Sequence, residues 1–338
     1  MRHPPGRPKD GSLPLGGKSR SDKGAPTSDG LKILATDLLF PEGPVAMPDG
    51  SVLLVEIAGG SLRRCHPDGR VEIAAAPGGG PNGAAIGPDG HCYVCNNGGF
   101  LWSEDPQRGL VAHGRAEDYA GGRIERIELN SGRVERLYER TASGPLSAPN
   151  DIVFDAHGGF WFTDLGSMTP TAVERGRVCY AKADGSMIRE AIFPMLTPNG
   201  IGLSPDGKTL YVAETLTARL WAFPVVAPGE LQRKSGAPPR LGRMLYAASE
   251  YCSFDSLAVE AGGNVCVATI GTQSVAGITV ISPQGELVER VLMPDRTTTN
   301  ICFGGADLQT AYVTLSHTGR LAALPWARRG LGLNYLNN

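Results

Sequence analysis

The 338-residue chain has no surplus of either charge: 32 Lys and Arg face 34 Asp and Glu, for a net charge of −2 and a pI near 6.3. A nucleic-acid partner would call for a basic footprint, and none is present. Missing too is any apolar run approaching the ~18 residues that a membrane-spanning helix needs. Residues 1–30 carry basic side chains but no apolar h-region, so no secretory signal is expected there. Rich in Pro, Gly, Ser and Lys, they bury too little surface to offset the entropy of ordering and are expected to form a flexible tail. Cysteine is sparse and odd in number: Cys65, Cys92, Cys95, Cys179, Cys252, Cys266 and Cys302, mostly inside apolar runs. That usage suits small buried hydrophobes in a reducing, cytoplasmic setting better than a disulfide framework. The Cys-x-x-Cys of "HCYVC" lies in a strand-like segment, where Cys92 and Cys95 point to opposite faces, which argues against a zinc or redox pair.

Long helix-forming runs are also missing, whereas glycine (46) and proline (26) are abundant. That combination favours many short strands separated by turns. Six stretches repeat one pattern: "FPEGPVAMPDGSVLLVEI" from Phe40, "GPNGAAIGPDGHCYVCNN" from Gly80, "APNDIVFDAHGGFWFTD" from Ala148, "TPNGIGLSPDGKTLYVAET" from Thr197, "SFDSLAVEAGGNVCVATI" from Ser253 and "TTNICFGGADLQTAYVTLS" from Thr298. Each has a polar residue, a short apolar strand, a turn and a second strand of β-branched and aromatic residues. The polar positions align as Glu42, Asn82, Asn150, Asn199, Asp255 and Asn300, spaced by 40, 68, 49, 56 and 45 residues. Further strand pairs such as "GSLRRCHPDGRVEIAA" lie between the units, so each unit supplies about four strands, the content of a propeller blade. The expected fold is all-β: a six-bladed β-propeller with a central channel, one closed domain over residues 31–326, followed by a C-terminal tail at 327–338. "LKILATDLL" is a spare strand that would pair with the last blade and close the ring. The long gap between Asn82 and Asn150 is read as an insertion on one face.

In a propeller the innermost strand of each blade runs along the channel, so the residues that open those strands converge on the axis. Asn or Asp alone is explained by turn chemistry; Glu42, in "PEGP", is not. Glu42, Asn150, Asn199 and Asp255 together offer two carboxylates and two amide carbonyls. These hard oxygen donors favour Ca²⁺, Mg²⁺ or Mn²⁺ over zinc or copper. Without a cation, two carboxylates in a narrow channel would repel and one would protonate. A divalent ion with open positions acts as a Lewis acid or acidifies water, and Asp255 beside it could serve as base or nucleophile.

With "LFPEGPV", "PNDIVFD", "PNGIGLSPDGKTLYVAET", "FDSLAV" and "TNICFGG" in place, the chain resembles the SMP-30/gluconolactonase/luciferin-regenerating-enzyme family over roughly Leu31 to Trp326. The resemblance implies a six-bladed propeller with one divalent cation, calcium foremost and Mg²⁺, Mn²⁺ or Zn²⁺ as alternatives, and hydrolysis of lactones as small-molecule substrates. A related branch, the diisopropyl-fluorophosphatases, hydrolyses organophosphates. By motif, Glu42, Asn199 and Asp255 inherit the metal-ligand role. Asn150 inherits a ligand or substrate-contacting role, and Asp255 the proton-transfer or nucleophilic step. Sugar-lactone members often carry an arginine near the third-blade motif; "GPLSAPND" has none, which counts against a sugar lactone.

Asn82, at the head of the second blade, is a candidate substrate contact, with a plain turn role as its alternative. His317 ends the second strand of the last blade, where a hydrogen-bonded surface histidine is the simpler account and a substrate contact the other. Phe100 and Trp102, in the insertion, are placed to wall the channel mouth or simply to pack down. Three competing readings stand beside the lactonase: a phosphotriester or fluorophosphate hydrolase, the same scaffold turned to another metal-dependent reaction, and a non-catalytic binding propeller with a structural ion.

Overall fold

The computed structural model describes residues 30–105, 109–169, 171–232 and 242–337. The tail expected at residues 1–30 lies outside them, apart from Gly30. The described residues contain no helix, and none is long and apolar enough to cross a membrane. Six antiparallel sheets, mostly of four strands, form the blades of a six-bladed β-propeller. Their inner strands are Pro41–Ala46, Pro81–Ile86, Pro149–Phe154, Pro198–Leu203, Cys252–Val259 and Thr298–Gly304, and each touches the next around a closed ring. The chain closes that ring on itself: Lys32–Ala35 supplies the outermost strand of the sixth blade, pairing antiparallel with Arg320–Pro325.

The second strand of each blade is sandwiched between neighbours on both faces, which is why "VLLVE", "CYVCN" and "GFWFTD" are buried along their whole length rather than alternating. Six apolar clusters fill the six gaps between blades. Cys92 and Cys95 go to different clusters, on opposite faces of their strand, and all seven cysteines are free. The turns between first and second strands are held by aspartates that accept the N–H two residues on, as at Asp49 (Ser51, 2.9 Å), Asp155 (His157, 2.7 Å) and Asp206 (Lys208, 3.0 Å).

Every inner strand carries a register shift at its head, between Glu42 and Val45, Pro81 and Ala84, Pro149 and Ile152, Pro198 and Ile201, Phe254 and Leu257, and Thr298 and Asn300. The extra residue creates two tiers on the axis. Counting along the ladders, the first tier is Glu42, Asn82, Asn150, Asn199, Asp255 and Thr299, and the second is Gly43, Gly83, Asp151, Gly200, Ser256 and Asn300. The alignment of Asn300 with Glu42 is therefore corrected by one position. Its blade has the shift one residue earlier, so Thr299 takes the first-tier place and Asn300 joins Asp151.

The C-terminal segment, expected as a tail, runs across the ring on the second-tier side. Leu331 donates its N–H to Val259 O (2.9 Å), Asn334 Nδ2 to Phe154 O (3.0 Å), and Tyr335 Oη accepts the N–H of Gly158 (2.8 Å). Tyr335 also packs edge-on against Phe154, 5.9 Å between ring centres.

Three second-tier positions are glycine because the next inner strand passes too close for a side chain. A Cβ on Gly43 would lie 2.4 Å from Asn82 O, on Gly83 2.5 Å from Asn150 O, and on Gly200 2.7 Å from Asp255 O. Gly43 also has a φ of +52°. Gly43→Ala is expected to cost at least about 2 kcal/mol through clash and backbone strain together. Thermal unfolding checks this, and a melting temperature equal to that of the native chain refutes the packing argument.

Candidate active site

In four of the six blades a clamp holds the loop that leads into the first-tier residue. The residue ending the second strand of the blade accepts backbone N–H groups from that loop: Glu56 from Leu39 (3.0 Å), Asn96 from Gly80 (3.0 Å), Asp164 from Ser147 and Ala148 (3.0 and 2.6 Å), Glu214 from Leu196 (3.2 Å). Arginines on the third strands hold the acidic clamps in turn, as Arg63 does for Glu56 (2.7 Å) and Arg177 for Asp164 (3.3 Å). Two of the loops turn in through a left-handed backbone at a bulky residue, Phe40 (φ 58°) and Thr197 (φ 46°). Such strain persists only where the surroundings enforce it and collects at functional sites. Here it falls two residues before Glu42 and Asn199.

On the first-tier side the channel opens into a cavity of about 730 Å³, with Glu42, Asn150, Asn199 and Asp255 among its lining residues. Glu42, Asn150 and Asn199 are buried, and Asp255 keeps part of its surface open to the cavity. Glu42 Oε2 accepts from the Gly43 N–H (2.9 Å) and from Asn300 Nδ2 (2.8 Å), a link across 258 positions of chain. Asn199 Nδ2 donates to Thr215 Oγ1 (3.0 Å), and its Oδ1 accepts from Ser256 Oγ (3.4 Å). Asn150 Oδ1 is buried with no hydrogen-bond partner among the described residues.

His317 lines the cavity as well, whereas Asn82 is buried at its tier but is not among the lining residues. The insertion forms a hairpin, Phe100–Asp105 with Gly109–Arg115, that reaches over the mouth. Its Trp102 packs on Phe40 with ring centres 5.1 Å apart, and Phe100 meets Trp102 edge-on at 5.9 Å. Arg115, the last residue of this hairpin, donates to Ser147 Oγ (2.9 Å) and Glu174 (2.7 Å) and stacks over Tyr119.

Sequence reasoning passed over a third carboxylate. Asp151, beside Asn150, lies in the second tier; its Oδ1 accepts the Ile152 N–H at 2.9 Å, and it lines a separate cavity of about 520 Å³ on the opposite side of the ring. The doublet "ND" was visible, yet only the register shift tells which face each residue takes. Burial raises all three acids. Glu42 is pushed up to about 7, with Asn300 and the Gly43 N–H pulling it back, and Asp151 up to about 7 by burial and the nearby Glu42 charge. Asp255 is pushed well above the usual carboxylate range by burial and then by Glu42 and Asp151.

Among the described residues no group of three or more His, Cys, Asp or Glu side chains is placed to hold a metal ion. A cation on the axis would therefore depend on amide oxygens as well as carboxylates. The donor set fits that requirement: Glu42 and Asp255 bring charge, Asn199 an amide, and the unpartnered Asn150 Oδ1 is an acceptor that a hard cation would satisfy.

Comparison with known proteins places the fold and the family. The family profile described as "SMP-30/Gluconolactonase/LRE-like region" matches residues 40–317. A gluconolactonase of Zymomonas mobilis is 25% identical over 322 residues, covering 85% of this chain and 79% of that protein. Lactonase drp35 of Staphylococcus saprophyticus is 27% identical over 249 residues, 73% of this chain and 68% of that one. Among solved structures, a gluconolactonase from Xanthomonas campestris superposes with a TM-score of 0.68 at 24% identity, covering 87% of this chain and 89% of that one. A calcium-binding protein, regucalcin, from Agrobacterium tumefaciens does so with a TM-score of 0.69 at 20% identity, covering 92% and 98%.

The raised acids set a pH signature. Between the unfolded carboxylate range and about pH 7 the native state binds more protons than the unfolded state, so stability of the cation-free protein falls as pH rises through that window. A divalent cation binds the ionised carboxylates and reverses the trend. The gain in melting temperature on adding Ca²⁺ to EDTA-treated protein is expected to grow from pH 5 to pH 8. A gain that stays flat across that range removes Glu42 and Asp255 from the ligand set.

Proposed function

The chain belongs to the SMP-30/gluconolactonase/LRE-like family, and from that premise we propose that it is a lactone-opening hydrolase working with one divalent cation, calcium foremost, held by Glu42, Asn150, Asn199 and Asp255. The observation that carries this reading is the meeting of two carboxylates and two amides from four blades in one open cavity, one of the amide oxygens buried and unpartnered. The named gluconolactonase and lactonase relatives support the reaction class. Bound there, the cation would supply Lewis acidity toward the lactone carbonyl.

The chain's own residues do the rest. Glu42, held by the Gly43 N–H and Asn300, keeps its orientation in the floor. Asp255, open to the cavity, takes a proton from the attacking water and returns it to the departing ring oxygen. Asn150 orients the carbonyl end of the substrate from the third blade. The hairpin overhead limits water at the reacting carbon and shapes the choice of substrate.

The cavity size suits a ligand larger than a bare lactone ring, since drug-sized ligands occupy about 300–1,000 Å³. Phe40, Phe100, Trp102, Leu110, Val111 and Met168 present an apolar wall on the hairpin side. The hydroxyls of a polyhydroxylated lactone would lie unpaired against it. Among the described residues of the hairpin the arginine is Arg115, which is already paired with Glu174 and stacked on Tyr119. The reading therefore extends to lactones bearing an aromatic or alkyl substituent.

A panel of sugar, alkyl and aromatic lactones and phosphotriesters, run on EDTA-treated protein with single cations restored, tests the proposal. Cation-dependent opening of substituted lactones is expected; turnover of phosphotriesters alone overturns the lactone assignment. Asp255→Asn is expected to lower kcat by at least about a hundredfold, and full turnover by a folded variant excludes Asp255 as the base. Trp102→Ala should lower kcat/KM roughly tenfold on substituted lactones, as loss of about 55 Å² of apolar contact implies, and leave unsubstituted ones within about twofold.

A further inference from the structure

We propose that Asn97 is a catalytic residue of this site, its Nδ2 donating a hydrogen bond to the lactone carbonyl oxygen as that oxygen takes up negative charge. The inference rests on the lactone-opening reading and adds to it a donor supplied by the second blade.

Asn97 lines the same cavity as Glu42, Asn150, Asn199 and Asp255 and is 2% exposed. Its carboxamide is locked at the oxygen end. Oδ1 accepts the Gly99 N–H at 2.8 Å, and the backbone N–H of Asn97 donates to Gly80 O at 2.8 Å. The carboxamide fits only because residue 80 has no side chain: a Cβ there would stand 2.0 Å from Asn97 Oδ1. With the oxygen end defined by the Gly99 N–H, Nδ2 is the remaining polar end, and it has no hydrogen-bond partner among the described residues. An unpaired buried amide donor is destabilising, and such groups in a native structure call for a ligand or another explanation.

The propeller itself does not require an amide here. The equivalent place, one residue after the partner of Pro41, Pro149 and Phe254 in the ladders, is Ile57 in the first blade, Leu165 in the third and Ile270 in the fifth, all lining the cavity. Where it is polar elsewhere, it is satisfied: Thr215 Oγ1 accepts from Asn199, and Ser316 Oγ donates to Pro41 O at 2.7 Å. Asn97 alone among these combines a polar side chain, burial and an idle donor.

The cavity thus presents two unpartnered atoms of opposite character, an acceptor at Asn150 Oδ1 and a donor at Asn97 Nδ2. A cation satisfies the first and an oxygen the second. In ring opening the water oxygen bonds to the carbonyl carbon, the carbonyl π pair moves onto its oxygen, and the water proton passes to Asp255. Collapse then re-forms the carbonyl, breaks the ring C–O bond and places that proton on the departing oxygen, giving the hydroxy acid. The carbonyl oxygen is most negative midway, so a donor aimed at it favours the transition state over the bound substrate.

Asn97→Asp keeps the acceptor for Gly99 and removes the donor; Asn97→Ala removes it without adding charge. Both are expected to lower kcat on the best lactone by about a hundredfold, with KM within about threefold and the calcium-induced gain in melting temperature retained. Turnover of the folded Asn97→Ala variant within about threefold of the native enzyme overturns the proposal. A readout free of turnover accompanies these: the side-chain amide resonances of Asn97, assigned by their loss in the variants, should shift when ε-caprolactam is added to the calcium-loaded protein. If the native protein opens no lactone, the lactonase reading fails and the lactam titration decides alone. A shift confined to native Asn97 supports the donor, and saturable lactam binding without one, or no binding at all, overturns it.

Discussion

Six inner strands meet around one axis here because three of them give up a side chain at the point of contact. Gly43, Gly83 and Gly200 let neighbouring backbones pass at distances that any Cβ would forbid. Everything chemical follows from that approach. It narrows the channel, turns the first-tier side chains toward a common space, and brings Glu42 within reach of Asn300 from the far end of the chain. The register shift at each strand head is the companion device, since it separates the residues that face the large cavity from those one position further on. The clamps at Glu56, Asn96, Asp164 and Glu214 then hold the incoming loops, so that the heads of the strands start from defined positions.

The same narrowness creates an electrostatic problem. Burial already disfavours charge here, and the Glu42 charge raises the proton affinity of Asp151 and Asp255 further, with Asp151 adding to the effect at Asp255. A fold shaped by stability alone would fill such positions with apolar side chains. Their retention, with an amide oxygen and an amide donor left idle beside them, is the pattern of a site completed from outside the chain.

Much of the architecture was legible because it depends on local patterns repeated along the chain. Alternating apolar strands, aspartate-held turns and a polar residue at each head announced six blades, and "LKILATDLL" announced the closing strand, which pairs with Arg320–Pro325. The insertion after Asn82 was equally visible as an interruption of the repeat. Less legible were features set by one residue of register. Asn300 looked equivalent to Glu42, yet the ladder puts Thr299 there. Asp151 was hidden behind Asn150, and Asn97 behind "CNNGG", because neither is marked by a repeated motif.

By itself, then, the chain determined the blade count, the closure and the chemical kind of the axial residues, since each follows from periodicity and side-chain type within a few residues. Tertiary structure alone decided which oxygens share a cavity, where the hairpin puts its aromatic wall, and how the C-terminal segment crosses the ring. These depend on contacts between residues tens to hundreds of positions apart. A single-residue slip in pairing reverses the face of every side chain that follows, and no local pattern records it.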